Sequence, residues 1–468
     1  MGGPRRGLFS LFATAGLAAV FLCAAPATAN ADLSRKSVEG HEVDAVELEG
    51  RGSPKQFASL RALAAEPWHR GVYAISFRTS AAAVELPWCA GRTNVFVDEA
   101  PKTAPLGPFL LELGPGEHKV RFQVEASTYE HRIACGGPIV AGVVTTTRVG
   151  LQSLRFESPV KQAGGGTAFV FIPSDENRLP NERFPLLVGV HPWNGSIATY
   201  AAYRSLLEEA ERQRVALLFP SGLGNSLYTA AAEEEVMRAI DAAARELPID
   251  ASRVSIWGAS MGGAGATTIG FHRPDRFATI TSFFGDASYH LDTYVKAILR
   301  DEAGAHQVNP IDVADNARHV PVWLIHGTAD TVSPVKESDE LHLALKKRGY
   351  SVRYDRVEDR GHEGSLVELY LRHVVALAKI SVIPSRPTHV SYRSVRASDR
   401  GAYGVTIEPR GKGDALIDIA YRENSVHVAR ASNVAKVALA KGALGAPSGA
   451  PIVHEDPSGA RPTVSFAP

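Results

Sequence analysis

An α/β architecture is predicted for this chain: a mostly parallel sheet with helices on both faces, flanked by N-terminal and C-terminal β-rich modules. Three observations predict it. From about Lys161 to Lys379, apolar runs of strand length alternate with stretches of helical periodicity. On either side, short runs rich in β-branched residues are punctuated by Gly and Pro. The 468 residues are 45% hydrophobic and 21% charged, a balance that buries a substantial core and excludes a disordered chain.

The first segment, residues 1–31, reads as a secretory signal peptide. Arg5 and Arg6 precede an apolar stretch from Leu8 to Leu22, and Ala27-Thr28-Ala29 and Ala29-Asn30-Ala31 are small-x-small cleavage sites. Its removal is expected to leave no stable membrane anchor and to place the mature protein outside the cell, in the periplasm or in the envelope; the alternative is an uncleaved anchor.

The second segment, 32–160, reads as a small antiparallel sandwich. Its strand candidates are Val72–Phe77, Thr93–Val97, Phe109–Leu113, His118–Val124 and Val143–Leu151. Once the signal is removed, Cys89 and Cys135 are the remaining cysteines. An oxidising compartment favours their pairing. The loop of about 47 residues so closed would add about 4 kcal/mol in the chain-entropy model.

The third segment, 161–379, has strand candidates at Ala168–Ile172, Leu186–Val190, Val215–Phe219, Val254–Trp257, Thr279–Phe284, Val320–Ile325 and Val352–Val357. Helical stretches lie between them, at Ala231–Leu247, Val335–Lys347 and Ser365–Ala378 among others. The fourth segment, 380–468, returns to β, with candidates at Val390–Arg393, Ala402–Ile407, Ala415–Tyr421, Ser425–Ala429, Lys436–Leu439 and a last short strand at Thr463–Phe466. The rest of the stretch beyond Leu444 is expected to be irregular.

Charge narrows the function classes. Lys plus Arg and Asp plus Glu are 50 each, so summed charge does not point to nucleic acid as a partner. The histidines are scattered without ligand spacing, so neither a metal nor another cofactor is expected.

The chemistry is carried by Gly258-Ala259-Ser260-Met261-Gly262. This G-x-S-x-G follows an apolar strand and precedes a small-residue helical stretch, the context of a nucleophile elbow. Gly258 and Gly262 remove the Cβ atoms that would collide in so tight a turn. A serine needs a base, and the base needs an orienting acid. Downstream, Asp330 lies in the loop after an apolar strand, where open α/β sheets place their sites, and His362 lies in a Gly-flanked loop after the next strand. The order Ser260, Asp330, His362 is that of the elbow enzymes. His326 reads as part of the turn that presents Asp330, and His373 as a helix residue. An oxyanion hole needs two backbone N–H groups. Met261 supplies one. In His191-Pro192-Trp193-Asn194-Gly195, Pro192 has no N–H, which makes Trp193 the first choice and Asn194 the second. The Trp193 ring either walls the substrate pocket or joins the core.

These residues resemble the secreted esterase and prolyl-oligopeptidase-type branches of the α/β-hydrolase superfamily. The resemblance spans roughly Gly165 to Leu377 and rests on the VHPWNG loop, ELPIDASRVSIWGASMGGAGA, HGTADTVSP and DRGHEG. The phrase ending at the elbow looks like feruloyl-esterase and polyhydroxybutyrate-depolymerase relatives. The resemblance implies the α/β-hydrolase fold, Ser260, Asp330 and His362 as a triad, and donors from Met261 and the 191–195 loop. Pro192 departs from the Gly usual in relatives. The C-terminal segment resembles an accessory module. The expected activity is hydrolysis of an ester substrate, free or polymer-linked, through an acyl-enzyme. The alternatives are a serine peptidase of the prolyl-oligopeptidase type and a catalytically inert envelope or polysaccharide-binding protein.

Overall fold

The computed structural model describes residues 151–467, except 161–165, 174–180, 198, 202 and 457–460, together with segments between 35 and 150. The expected signal, residues 1–31, and the strand stretch 143–149 lie outside the described residues.

Eight strands form the central sheet: β1 Gly150–Phe156, β2 Gly166–Ile172, β3 Phe184–Val190, β4 Ala216–Pro220, β5 Ile249–Ala259, β6 Ile280–Phe283, β7 Val322–Gly327 and β8 Val352–Val357. Their spatial order is β1-β2-β4-β3-β5-β6-β7-β8. β2 is antiparallel to both β1 and β4, and every pair from β4 through β8 is parallel. Parallel strands need crossovers, and the helices supply them. These are α1 Arg204–Gln213, α2 Ala231–Glu246, α3 Met261–His272, the short α4 Thr293–Leu299 and α5 Glu302–His306, α6 Val335–Lys347 and α7 Gly364–Ile380.

The apolar runs read so continuously because both faces of the sheet are covered. Successive side chains alternate between two cores. Phe169, Leu187, Leu217, Trp257 and Ile325 join α1 and α7 on one face. Val170, Val188, Leu218, Ile256 and Leu324 join α2, α3 and α6 on the other. This is the α/β-hydrolase fold. The sheet starts upstream of the boundary expected near 160. The strand ending at Phe156 pairs along its whole length with β2 rather than with the N-terminal strands.

The N-terminal region is antiparallel β throughout its described pairs. Gly71–Thr79, His118–Ala126 and Arg92–Val97 lie side by side in its largest sheet. Cys89 and Cys135 are direct register partners across the short pair Trp88–Cys89 and Cys135–Gly136.

The C-terminal strands form two four-stranded sheets that share one apolar cluster, with Ile417 and Val426 from one sheet and Ile407 and Val437 from the other. The expected strand Ala402–Ile407 is two strands, Gly401–Ala402 and Val405–Pro409. Tyr403 and Gly404 between them both have positive φ, 53° and 78°, and turn the chain into a hairpin. Thr463–Phe466 is a strand, as expected. Ile452–His454, in the stretch expected to be irregular, is another, paired in parallel with Val426–Val428.

This module is docked tightly onto the central domain. His272, the last residue of α3, is bonded through Nδ1 to Asp399 at 2.8 Å, with both side chains buried. Tyr403 donates to the Pro274 carbonyl at 2.7 Å, and Arg393 Nε to Asp315 at 2.7 Å.

Candidate active site

Four consecutive parallel strands, β5 to β8, end on the same edge of the sheet, and each ends in a residue of the candidate site. β5 runs into Ser260, β6 into Phe284, β7 into the loop with Asp330, and β8 into the loop with His362.

Ser260 has φ 57° and ψ −122°, a strained conformation for a residue with a side chain. Its N–H donates to Phe283 O at 2.9 Å, and its carbonyl accepts from Ala264 N at 3.0 Å, which starts α3. The serine is partly accessible, whereas every residue of α3 is buried. The glycines of the motif are dictated by crowding. A Cβ on Gly258 would lie 2.4 Å from Gly262 O, and one on Gly262 only 1.9 Å from Val190 O. The elbow is therefore pressed against the end of β3.

His362 donates from Nδ1 to Asp330 Oδ2 at 2.8 Å, leaving Nε2 as the nitrogen free to serve a substrate or nucleophile. Its ring lies against Phe284, with centroids 4.4 Å apart. Asp330 Oδ1 accepts from Val332 N at 2.8 Å and Ser333 N at 2.9 Å. Burial opposes ionisation of Asp330. The N–H donors of His326, His362 and Val332 outweigh it and hold the carboxyl well below the usual carboxylate range. Ser260 and His362 are not hydrogen-bonded to each other in this structure. Such contacts are commonly loose without substrate.

In the turn of residues 192–195, one amide is available for an oxyanion. Gly195 N donates to Pro192 O at 2.9 Å, closing a turn, and Asn194 N donates to Asn225 Oδ1 at 2.7 Å. Pro192 has no N–H. Among the described residues, the Trp193 N–H has no protein acceptor, and Met261 opens α3, where a helix leaves its amides unsatisfied. The Trp193 ring packs against the α2–α3 core and meets Tyr294 edge-on at 6.0 Å. Tyr294 is largely exposed, so the indole stands between core and surface.

Several supporting residues were not singled out from the sequence. Buried Tyr200 donates to Val190 O at 3.1 Å and accepts from Ala259 N at 2.9 Å, tying β3 to the elbow. Buried His191 bonds Pro192 O and Ser221 O, both at 2.8 Å. Asp286, after β6, is pushed up to about 6, chiefly by burial and further by the charge of Glu337. Nothing in their spacing marks these residues, because the partners lie outside any local motif: Val190 and Ala259 for Tyr200, Ser221 for His191, and Ser333 and Glu337 for Asp286. Among the described residues, no group of three or more His, Cys, Asp or Glu is arranged to hold a metal ion, and no helix is long and apolar enough to cross a membrane.

Residues 224–376 match the model of the prolyl oligopeptidase family, a stretch of about a third of the chain that contains Ser260, Asp330 and His362. The domain is a serine hydrolase. Solved structures similar to this chain include a fluorophosphonate-binding serine hydrolase of Staphylococcus aureus, at 16% identity and TM-score 0.43 over 49% of this chain and 98% of that one. An S-formylglutathione hydrolase from Agrobacterium tumefaciens matches at 15% identity and TM-score 0.44, over 50% and 95%. A ferulic acid esterase matches at 17% identity and TM-score 0.41, over 49% and 98%. No curated protein matches the sequence.

Proposed function

We propose that this protein is an exported carboxylic ester hydrolase working through Ser260, His362 and Asp330. The observation that carries the reading is the 2.8 Å bond from His362 Nδ1 to Asp330, made on the sheet edge where strained Ser260 emerges. With Nδ1 engaged, Nε2 takes the Ser260 proton as Oγ attacks the ester carbonyl. The N–H groups of Met261 and Trp193 receive the oxyanion. His362 then returns the proton to the departing alkoxide, and water releases the acyl group by the same route in reverse. Asp330 fixes the imidazole tautomer and offsets its positive charge. Export rests on the N-terminal signal pattern, and the substrate is an ester that the two β modules would help to hold if it is joined to a polymer.

The test is labelling by a fluorophosphonate probe together with hydrolysis of p-nitrophenyl esters. Ser260→Ala should abolish both while leaving the fold intact. Full ester turnover by that variant overturns the assignment. A second reading, a serine peptidase, is favoured by the match to the prolyl oligopeptidase family over residues 224–376. Faster cleavage of peptidyl nitroanilides than of the corresponding esters would decide for it. A chain that binds polysaccharide and never reacts with the probe would instead be the inert binding protein.

A further inference from the structure

We propose that His326 is a positioning residue that shares the carboxylate of Asp330 with His362 and so sets how strongly Asp330 supports the base. The inference rests on the triad proposed above. His326 lies within β7, four residues before Asp330, and its side chain has no exposed surface. Its Nδ1 lies 2.8 Å from Ser338 Oγ, and its Nε2 lies 2.9 Å from the Ser333 carbonyl and 3.4 Å from Asp330 Oδ2.

A carbonyl only accepts, so the proton is on Nε2. That N–H bonds the Ser333 carbonyl at 2.9 Å and presents its positive end to Asp330 Oδ2 at 3.4 Å, an electrostatic contact. Oδ2 is also the oxygen that takes the Nδ1 proton of His362. One carboxylate oxygen thus faces two imidazole donors, while Oδ1 is occupied by two backbone amides. Ser338 in the first turn of α6 is buried and engages the remaining His326 nitrogen, which fixes the ring. A buried histidine with both nitrogens engaged is ordinary. Its hold on the oxygen that also serves the base gives this one a consequence for the reaction.

Loss of the His326 donor leaves Oδ2 with more negative charge for His362. The charged imidazole is then better stabilised, and the acid limb of kcat/KM moves to higher pH. Other ionisable groups face this cluster. They are Asp286 after β6, Glu337 on α6, and the Arg360–Glu363 pair on the His362 loop. Asp286 itself titrates near this window, so the comparison is also made in an Asp286→Asn background.

The experiment uses the full chain, with competent sites counted by fluorophosphonate titration and rates measured on a p-nitrophenyl ester from pH 5 to 9. His326→Leu should keep its titratable serine and shift the acid limb upward by about 0.5–1 unit, with KM little changed. His326→Gln, which keeps an N–H near the Nε2 position, should return the limb to the wild-type value. An unmoved limb in His326→Leu overturns the proposal, as does a His326→Gln variant indistinguishable from His326→Leu. If His326→Leu does not fold, Ser338→Ala carries the test, with a smaller upward shift expected and an unmoved limb overturning it. A wild-type chain that does not react with the probe overturns the triad itself, and this inference with it.

Discussion

The backbone amide of Asn194 donates to the side chain of Asn225 at 2.7 Å, and Asn225 returns a bond to the Asn194 side chain at 2.8 Å. This reciprocal pair occupies the Asn194 amide, which is why Trp193 is the donor proposed above. Asn225→Ala should loosen the loop without touching the substrate. We expect kcat to fall about 10- to 100-fold, with KM nearly unchanged and Ser260 still labelled. Unaltered kcat would show that the loop holds its shape without Asn225.

Tyr200 gives a prediction about stability. Its hydroxyl is the hydrogen-bond partner of both Val190 O and Ala259 N in a fully buried place. Tyr200→Phe leaves both backbone groups unsatisfied and should cost about 1–3 kcal/mol in denaturant unfolding. A loss of activity beyond the loss of folded protein would show that β3 and the elbow had moved apart.

Asp286 gives a pH dependence of defined sign. Its folded-state pKa is raised to about 6, above the unfolded value. The folded state therefore binds the proton more tightly, and stability falls as pH rises from about 4 through about 6. Asp286→Asn lacks that penalty. It should match wild type at pH 4 and be more stable by about 1–3 kcal/mol at pH 8, as read by thermal melts at both values. Equal stability at pH 8 would refute it.

Asp399 works in the opposite direction. Burial disfavours its charge, but His272 and Arg396 more than offset this and lower its pKa. The stability it supplies is present above the unfolded carboxylate range and is lost as pH falls below about 4. Asp399→Ala should cost about 3–5 kcal/mol near neutral pH, because it strands His272 and Arg396 in a buried place. A variant with wild-type melting temperature would mean that the contact is dispensable.

We propose that Cys89 and Cys135, register partners across two short strands, pair as a disulfide if the protein reaches an oxidising compartment. Intact mass under non-reducing conditions should fall short of the reduced mass by two hydrogen atoms. Reduction should lower stability by up to about 4 kcal/mol. Free thiols in oxidised, folded protein would count against it.

Much of the hydrolase domain was legible in the sequence because its signals are local. Seven of its strands read as apolar runs, and the elbow is a contiguous motif whose glycines are dictated by Val190 O and Gly262 O. Asp330 could be picked out because it follows an apolar strand, and His362 because it lies in a Gly-flanked loop after the next strand. What stayed hidden depends on distant partners. β1 reads like the strands before it, and only its pairing with β2 assigns it to the sheet. The Tyr403–Gly404 turn falls inside a run of strand-forming residues, where one glycine gave little warning. Tyr200, Asn225 and His326 act on backbone or carboxylate groups that no spacing rule connects to them.

The helix that begins just after Ser260 ends on a histidine whose partner, Asp399, belongs to the C-terminal strands. Those strands are thus part of the frame that keeps the serine in its unusual backbone geometry. Shortening the gene to its hydrolase portion would cut away one end of that frame. Changes accumulated in the last ninety or so residues would be felt in turnover, even where they lie far from any substrate.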